Sequence, residues 1–154
     1  MKEKIIFQET QRFNQWWVYL VMIGLVLVLL LQFNFMEAFL NQLTVDKVMP
    51  SIIVGLILVL FLTLKMSTTI TEEKILIRYF PFLRKEFLWE ELNNSQVIDY
   101  GFVGGWGIRL WTDYGTVYNV RGSQGLHIQT ADRQYVIGTQ KEEKLRSSIA
   151  HLLK

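Results

Sequence analysis

Phe13 to Met36 reads FNQWWVYLVMIGLVLVLLLQFNFM, 24 residues without a charge. As a helix this run would be about 36 Å long, against roughly 30 Å for a hydrocarbon core. Trp16, Trp17 and Tyr19 crowd one end, and Phe33 and Phe35 the other. Their placement is that of an interfacial belt. A cleavable signal peptide fits poorly, because the run is too long and no small-x-small site follows. A second run, VMPSIIVGLILVLFLTL from Val48 to Leu64, adds 17 uncharged residues, with Pro50 in its first turn. The pair reads as a transmembrane helical hairpin over residues 13–65, with spans of about 13–36 and 48–65.

Working outward, Lys and Arg set the expected orientation. Lys2, Lys4 and Arg12 precede the first run, and Lys65, Lys74, Arg78, Arg84 and Lys85 follow the second; between the runs stands only Lys47. Both termini are therefore expected in the cytoplasm, with a short external loop over 37–47. The protein is placed as multi-pass in the cytoplasmic membrane. Neither run carries a mid-span charge, which argues against transport. Ser51 and Gly55 form a small-xxx-small pair that serves either packing between the two helices or a homodimer.

The chain has 154 residues, 16 Lys and Arg against 14 Asp and Glu, and no cysteine. A net charge of +2 gives no footprint for nucleic acid. The lack of cysteine excludes a disulfide scaffold and a thiolate metal site. Residues 1–12 are read as a cytoplasmic N-terminal segment and residues 66–154 as one small cytoplasmic domain. There, apolar and polar residues alternate between turn signals. Strands are expected near 66–71, 74–80, 85–91, 95–101, 107–112, 116–120, 125–130 and 134–138, antiparallel because the connections are short. Thr139 to Lys154 reads as a helix, with a Thr139/Glu142 capping box, an apolar face of Leu145, Ile149, Leu152 and Leu153, and a Glu142–Arg146 pair.

A further stretch carries a likeness. Tyr100-Gly101, Gly104-Gly105-Trp106-Gly107-Ile108-Arg109, Tyr118-Asn119-Val120, Gly122 to Leu126 and Ile137-Gly138-Thr139-Gln140-Lys141, with Gln11-Arg12-Phe13 ahead of Trp16, resemble bacterial PH-domain-containing membrane proteins with two N-terminal helices. The resemblance implies a PH-like β-barrel or sandwich closed by the C-terminal helix. It implies no activity. Inositol-lipid binding is not expected, since Glu72-Glu73 would occupy the tip of the first hairpin.

Counting strands from Lys65 sorts the turns into two ends. One end holds Phe80, Phe82, Arg84, Lys85, Phe102, Trp106 and Arg121. The other holds Glu72, Glu73, Asp113, Asp132 and Arg133. The net charges are +3 and −3. Phe80, Phe82, Arg84, Lys85, Trp106 and Arg121 are thus candidate contacts to an anionic leaflet.

A second candidate is the loop Gly101, Gly104, Gly105 and Gly107 with Arg109. Its amides could cradle an anion, or its glycines could simply permit a tight connection. Arg109 could equally pair with Asp99 or Glu90. His127 and His151 lack ligand spacing, so no metal is expected. Ser123 lacks the glycine of a nucleophile elbow. No catalytic residue and no cofactor are assigned. The reading is a membrane-anchored PH-like interaction or scaffolding module with an unknown protein partner. Its alternative is a membrane-associated enzyme or anion-binding protein using the glycine loop with Arg109 and Arg121.

Overall fold

The computed structural model describes residues 4–34 and 45–154. Lys2, Phe35, Met36 and the expected external loop as far as residue 44 lie outside the described residues. The elements run β1 (Ile5–Arg12), α1 (Trp16–Asn34), α2 (Val45–Thr63), β2 (Lys65–Thr71), β3 (Lys74–Phe80), β4 (Leu83–Leu88), a short 3-10 turn (Trp89–Glu91), β5 (Asn94–Asp99), β6 (Gly107–Thr112), β7 (Gly115–Asn119), β8 (Gln124–Gln129), β9 (Gln134–Gly138) and α3 (Glu142–Ile149). They form two compact units. Met1–Arg12 joins Lys65–Lys154 in one, and Phe13–Leu64 is the other.

The β unit holds two sheets, ordered β1-β2-β3-β4 and β5-β8-β9-β7-β6. The alternating residues of the sequence bury one face of β1, β2 and β3; in β1, Phe7, Glu9 and Gln11 point inward. Phe87 of the first sheet meets Tyr135 of the second with ring centroids 4.8 Å apart, so the inner faces share one core. Met66, Ile70, Ile75, Ile77 and Ile128 in it are wholly shielded from solvent, while Val117 and Val136 are shielded on the other face of the second sheet, in a smaller cluster with Tyr100. Each such side chain contributes roughly 1.5–3 kcal/mol.

Residues 5–12, to which the sequence reading gave no element, are a full strand. Arg12 lies opposite Lys65 in the β1–β2 ladder, so the helical unit is an insertion between two paired strands. The antiparallel expectation is corrected at one pair, since β7 runs parallel to β9, with Thr116 opposite Tyr135. The capping box does not form. The Thr139 hydroxyl donates to buried Glu9 at 2.6 Å instead, and α3 begins at Glu142 without a side-chain cap. The Glu142–Arg146 pair does form, at 2.8 Å.

Larger corrections concern the fold class and the membrane. Within the described residues the first apolar run is a helix of 19 residues, about 28 Å long at the usual rise, and Phe13, Asn14 and Gln15 stay outside it. The second helix also has 19 residues, and it takes in Asp46 and Lys47. Among the described residues, no helix is long and apolar enough to cross a membrane. The expected spans at 13–36 and 48–65, and with them the multi-pass placement in the cytoplasmic membrane, are overturned. The expected PH-like barrel is not found either, because the strands form two separate sheets that do not close.

Candidate functional site

The β6–β7 hairpin holds the feature that the sequence reading missed. Gly107, Ile108 and Arg109 oppose Asn119, Tyr118 and Val117, but Thr112 opposes Gly115. The register therefore slips by one, and Leu110 and Trp111 together face Thr116. Such a bulge re-aims a side chain. Trp111 has φ of 57°, the one positive value outside glycine among the described residues. Its side chain is 93% exposed, and Leu110 beside it is also exposed. A left-handed conformation costs a bulky residue on the order of 1–2 kcal/mol, and strain of this kind clusters at functional sites. In the sequence the only signal was two adjacent apolar residues, Leu110-Trp111, breaking the alternation just before a turn.

Parallel pairing of β7 with β9 brings the β6–β7 and β8–β9 turns to one end of the sheet. Between them lies a groove of about 740 Å³. Leu110, Trp111, Asp113, Thr116, Asp132 and Arg133 line it. Both walls are pinned. The Thr112 hydroxyl donates to the Gly115 carbonyl at 2.9 Å and accepts from the Tyr114 amide at 3.2 Å. Thr130 donates to the Arg133 carbonyl through its hydroxyl at 3.0 Å and its amide at 2.9 Å. Gly115 sits against β9, and a Cβ there would run into the Gln134 carbonyl.

The glycine loop is organised differently. Gly101, Gly104, Gly105 and Gly107 all have positive φ, which a side chain would oppose. The Gly101 amide donates to Asp99 Oδ1 at 3.0 Å, and the Gly107 amide to Asn119 Oδ1 at 3.0 Å. Asn119 Nδ2 donates to the Tyr100 hydroxyl, 3.3 Å away. That hydroxyl in turn donates to the Gly122 carbonyl at 3.3 Å. Two of the amides proposed to cradle an anion thus cap polar side chains of the protein itself. The Arg109 guanidinium lies directly against Gly105, and its Nε is buried without a hydrogen-bond partner. Asp99 is engaged with the loop rather than with Arg109. Burial raises the Tyr79 phenol well above its ordinary value, and the Arg109 charge opposes that rise. Tyr100 is raised too, first by burial, against the lowering effect of its bond with Asn119.

The other sequence-derived candidates fall as follows. Phe80 ends β3, and Phe82 stands exposed in the turn after it. Arg84 and Lys85 lie in β4 rather than in a turn. The Lys85 ammonium rests 3.9 Å from the centroid of the Tyr135 ring, and so is aimed across at the second sheet. Trp106 meets exposed Phe102 edge to face at 6.5 Å. Arg121 is exposed. The Tyr79 hydroxyl lies near Gly107, which brings the end of β3 close to the glycine loop. Asp113 and Asp132, read as turn residues of the acidic end, both line the groove. His127 Nε2 is 3.2 Å from Gln134 Oε1, and His151 Nε2 is 3.3 Å from Glu72 Oε2. Among the described residues no three His, Cys, Asp or Glu side chains gather as metal ligands would.

No protein-family model matches the chain, and neither a curated protein nor a solved structure is similar to it. The resemblance to bacterial PH-domain-containing membrane proteins is thereby corrected: no family match supports it, and the two open sheets do not make the barrel that it implied.

Proposed function

We propose that this protein is an interaction module whose β unit holds a protein partner in the groove beside Trp111. The observation behind this reading is the bulge at Leu110-Trp111, which turns a large aromatic side chain into solvent at a cost in backbone strain. Exposed tryptophans dominate binding energy where a partner covers them, whereas a tryptophan serving the core would be shielded. The enzyme reading fares worse. Its glycine loop directs the Gly101 and Gly107 amides to Asp99 and Asn119. The large groove holds Asp113, Asp132 and Arg133 but no histidine, lysine or cysteine among its lining residues. The test is selection of protein-displayed peptides on the full chain in detergent. Binders that compete with one another and lose affinity on Trp111→Ala support the module; binders indifferent to that change refute it.

A second partner is favoured by the helical unit. Leu20, Ile23, Leu27, Leu31, Ile52 and Leu56 are all more than half exposed. A helix apolar on every side is stable only when covered. Phospholipid is the cover proposed, with a second copy of the chain as the competing outcome. Flotation with vesicles of neutral and of anionic lipid decides between them. Flotation with both supports lipid, and flotation with anionic vesicles alone assigns the contact to basic residues instead. A chain that stays at the bottom as a defined dimer refutes lipid.

A further inference from the structure

The four sheet edges of the β unit are closed unequally. Along β5, the Ser95 amide donates to the Lys154 carbonyl at 3.2 Å, and Arg146 donates to the Val97 carbonyl at 3.2 Å. In β1, charged Glu9 points inward, where it accepts from Thr139 and from the Gln140 amide, and an inward-pointing charge discourages a further strand. β4 carries Arg84, Lys85 and Glu86 in succession, and charge on an edge discourages a further strand. Among the described residues, nothing protects β6 in this way along Ile108-Arg109-Leu110. It is the outermost strand of its sheet, and its only charge, Arg109, is folded back onto Gly105. An uncovered edge with apolar side chains is a template for an added strand.

We infer that an extended peptide segment of a partner protein adds as a strand to the free edge of β6, with its end continuing past Trp111 into the groove, and that it alternates in apolar residues and carries a lysine or arginine. This rests on the interaction-module reading. The bulge opens the β6–β7 ladder between Arg109 and the Thr112–Gly115 pair, so a segment running along Ile108 to Leu110 meets the Leu110 and Trp111 side chains near the end of the sheet. Alternate residues of an extended chain point the same way, which matches apolar side chains to those two. Beyond them the segment reaches the turns. There Asp113 and Asp132 outnumber Arg133, so the groove carries net negative charge and favours a cation over a carboxylate. A helical partner would leave the edge amides and carbonyls of β6 unused. A strand satisfies them.

The experiment selects capped random heptapeptides displayed on phage against the full chain in detergent. A synthetic copy of a selected peptide is then compared with two derivatives. One is N-methylated at alternate residues, and the other has each Lys or Arg replaced by Glu. Amide spectra of every protein variant confirm that it is folded. The selected peptides are expected to alternate apolar and polar residues and to hold a cation. Trp111→Ala should weaken binding about tenfold, and Asp132→Asn a few-fold, less at high salt. N-methylation in one of the two alternate registers should cost about tenfold or more, because it removes the edge hydrogen bonds. If Trp111→Ala weakens binding while the methylated and acidic peptides bind like the parent, strand addition falls and the module reading stands. If Trp111→Ala changes nothing, or no sequence is enriched over that variant, both fall.

Discussion

In the β unit Ile75, Ile77, Val117 and Ile128 are entirely shielded, whereas in the helical unit Leu20, Ile23, Leu27 and Leu56 stand more than half exposed. The residue types are the same, so composition does not make the difference. Patterning does. Strands with period-two alternation give a sheet one apolar face, and a second sheet can cover it. In α1 every residue from Leu20 to Leu31 is apolar except Gly24, so the helix has no polar side to turn outward, and no single neighbour covers the whole of it. The β unit is thus stable by its own packing, and the helical unit by whatever surrounds it. The sharpest way to break this contrast is a matched truncation. Ile75→Ala should destabilise the β unit by about 3 kcal/mol through lost burial and a cavity. Leu27→Ala should leave that unfolding unchanged within about 0.5 kcal/mol. Urea unfolding in detergent, followed by near-ultraviolet circular dichroism, measures both. Equal effects would mean that the two units share one core.

A second test separates the frame of the groove from its contents. Gly115 has φ of 75°, and a side chain there meets the Gln134 backbone. Gly115→Ala should therefore cost about 2 kcal/mol or more, combining a left-handed residue with a backbone clash. Gly104 also has positive φ, but open space surrounds its Cβ position. Gly104→Ala should cost only the conformational share, about 1 kcal/mol. Thermal unfolding ranks the two. A reversed order would mean that the parallel β7–β9 contact can yield.

The same contrast explains what could be read from the sequence. The strands from β2 to β9 were legible to within about one residue, except at β4 (expected at 85–91, found at Leu83–Leu88) and at the C-terminal end of β5, because alternation and turn residues are local signals. β1 was not, since its pairing partner lies beyond the whole helical insertion and Ile5–Arg12 has no flanking turn to announce it. The capping box failed for a similar reason. Glu9, 130 positions away, competes for the Thr139 hydroxyl, and nothing near Thr139 reveals that rival. The long uncharged runs predicted spans, but run length counts residues that the helix does not take up, such as Phe13 to Gln15. The anion-loop candidate was legible as a glycine cluster. That its amides point at Asp99 and Asn119 was not, because this depends on the tertiary path from β5 to β7. Trp111 was visible only as a break in alternation, and its φ belongs to the bulge.

A smaller effect has the opposite sign. Trp111→Gly removes the side chain and frees the backbone for its left-handed conformation. It should stabilise the β unit by about 1 kcal/mol while removing the proposed binding anchor. A melting temperature that rises as peptide affinity falls would show that the strain is kept for binding. A melting temperature that falls would instead make Trp111 a packing residue, and the comparison between core and groove would lose its clearest member.

The smallest effect at neutral pH concerns the tyrosines of the shared core. Tyr118 stacks with Tyr135 at 6.4 Å. Burial raises its phenol above the ordinary value, and the neighbouring Tyr135 adds to the rise. Tyr79 and Tyr100 are raised as well. A phenol whose pKa is higher folded than unfolded keeps its proton longer in the folded state. Stability from this source is therefore complete below about pH 10, the unfolded value, and is lost as pH climbs through the folded one. Tyr118→Phe keeps the ring and removes the titrating group. It should leave neutral stability nearly unchanged and flatten the decline above pH 10, read as the denaturation midpoint against pH. An identical alkaline slope in wild type, Tyr118→Phe and Tyr79→Phe would mean that these phenols ionise as freely in the fold as in the unfolded chain. The core between the two sheets would then be open to water where the structure shows it closed.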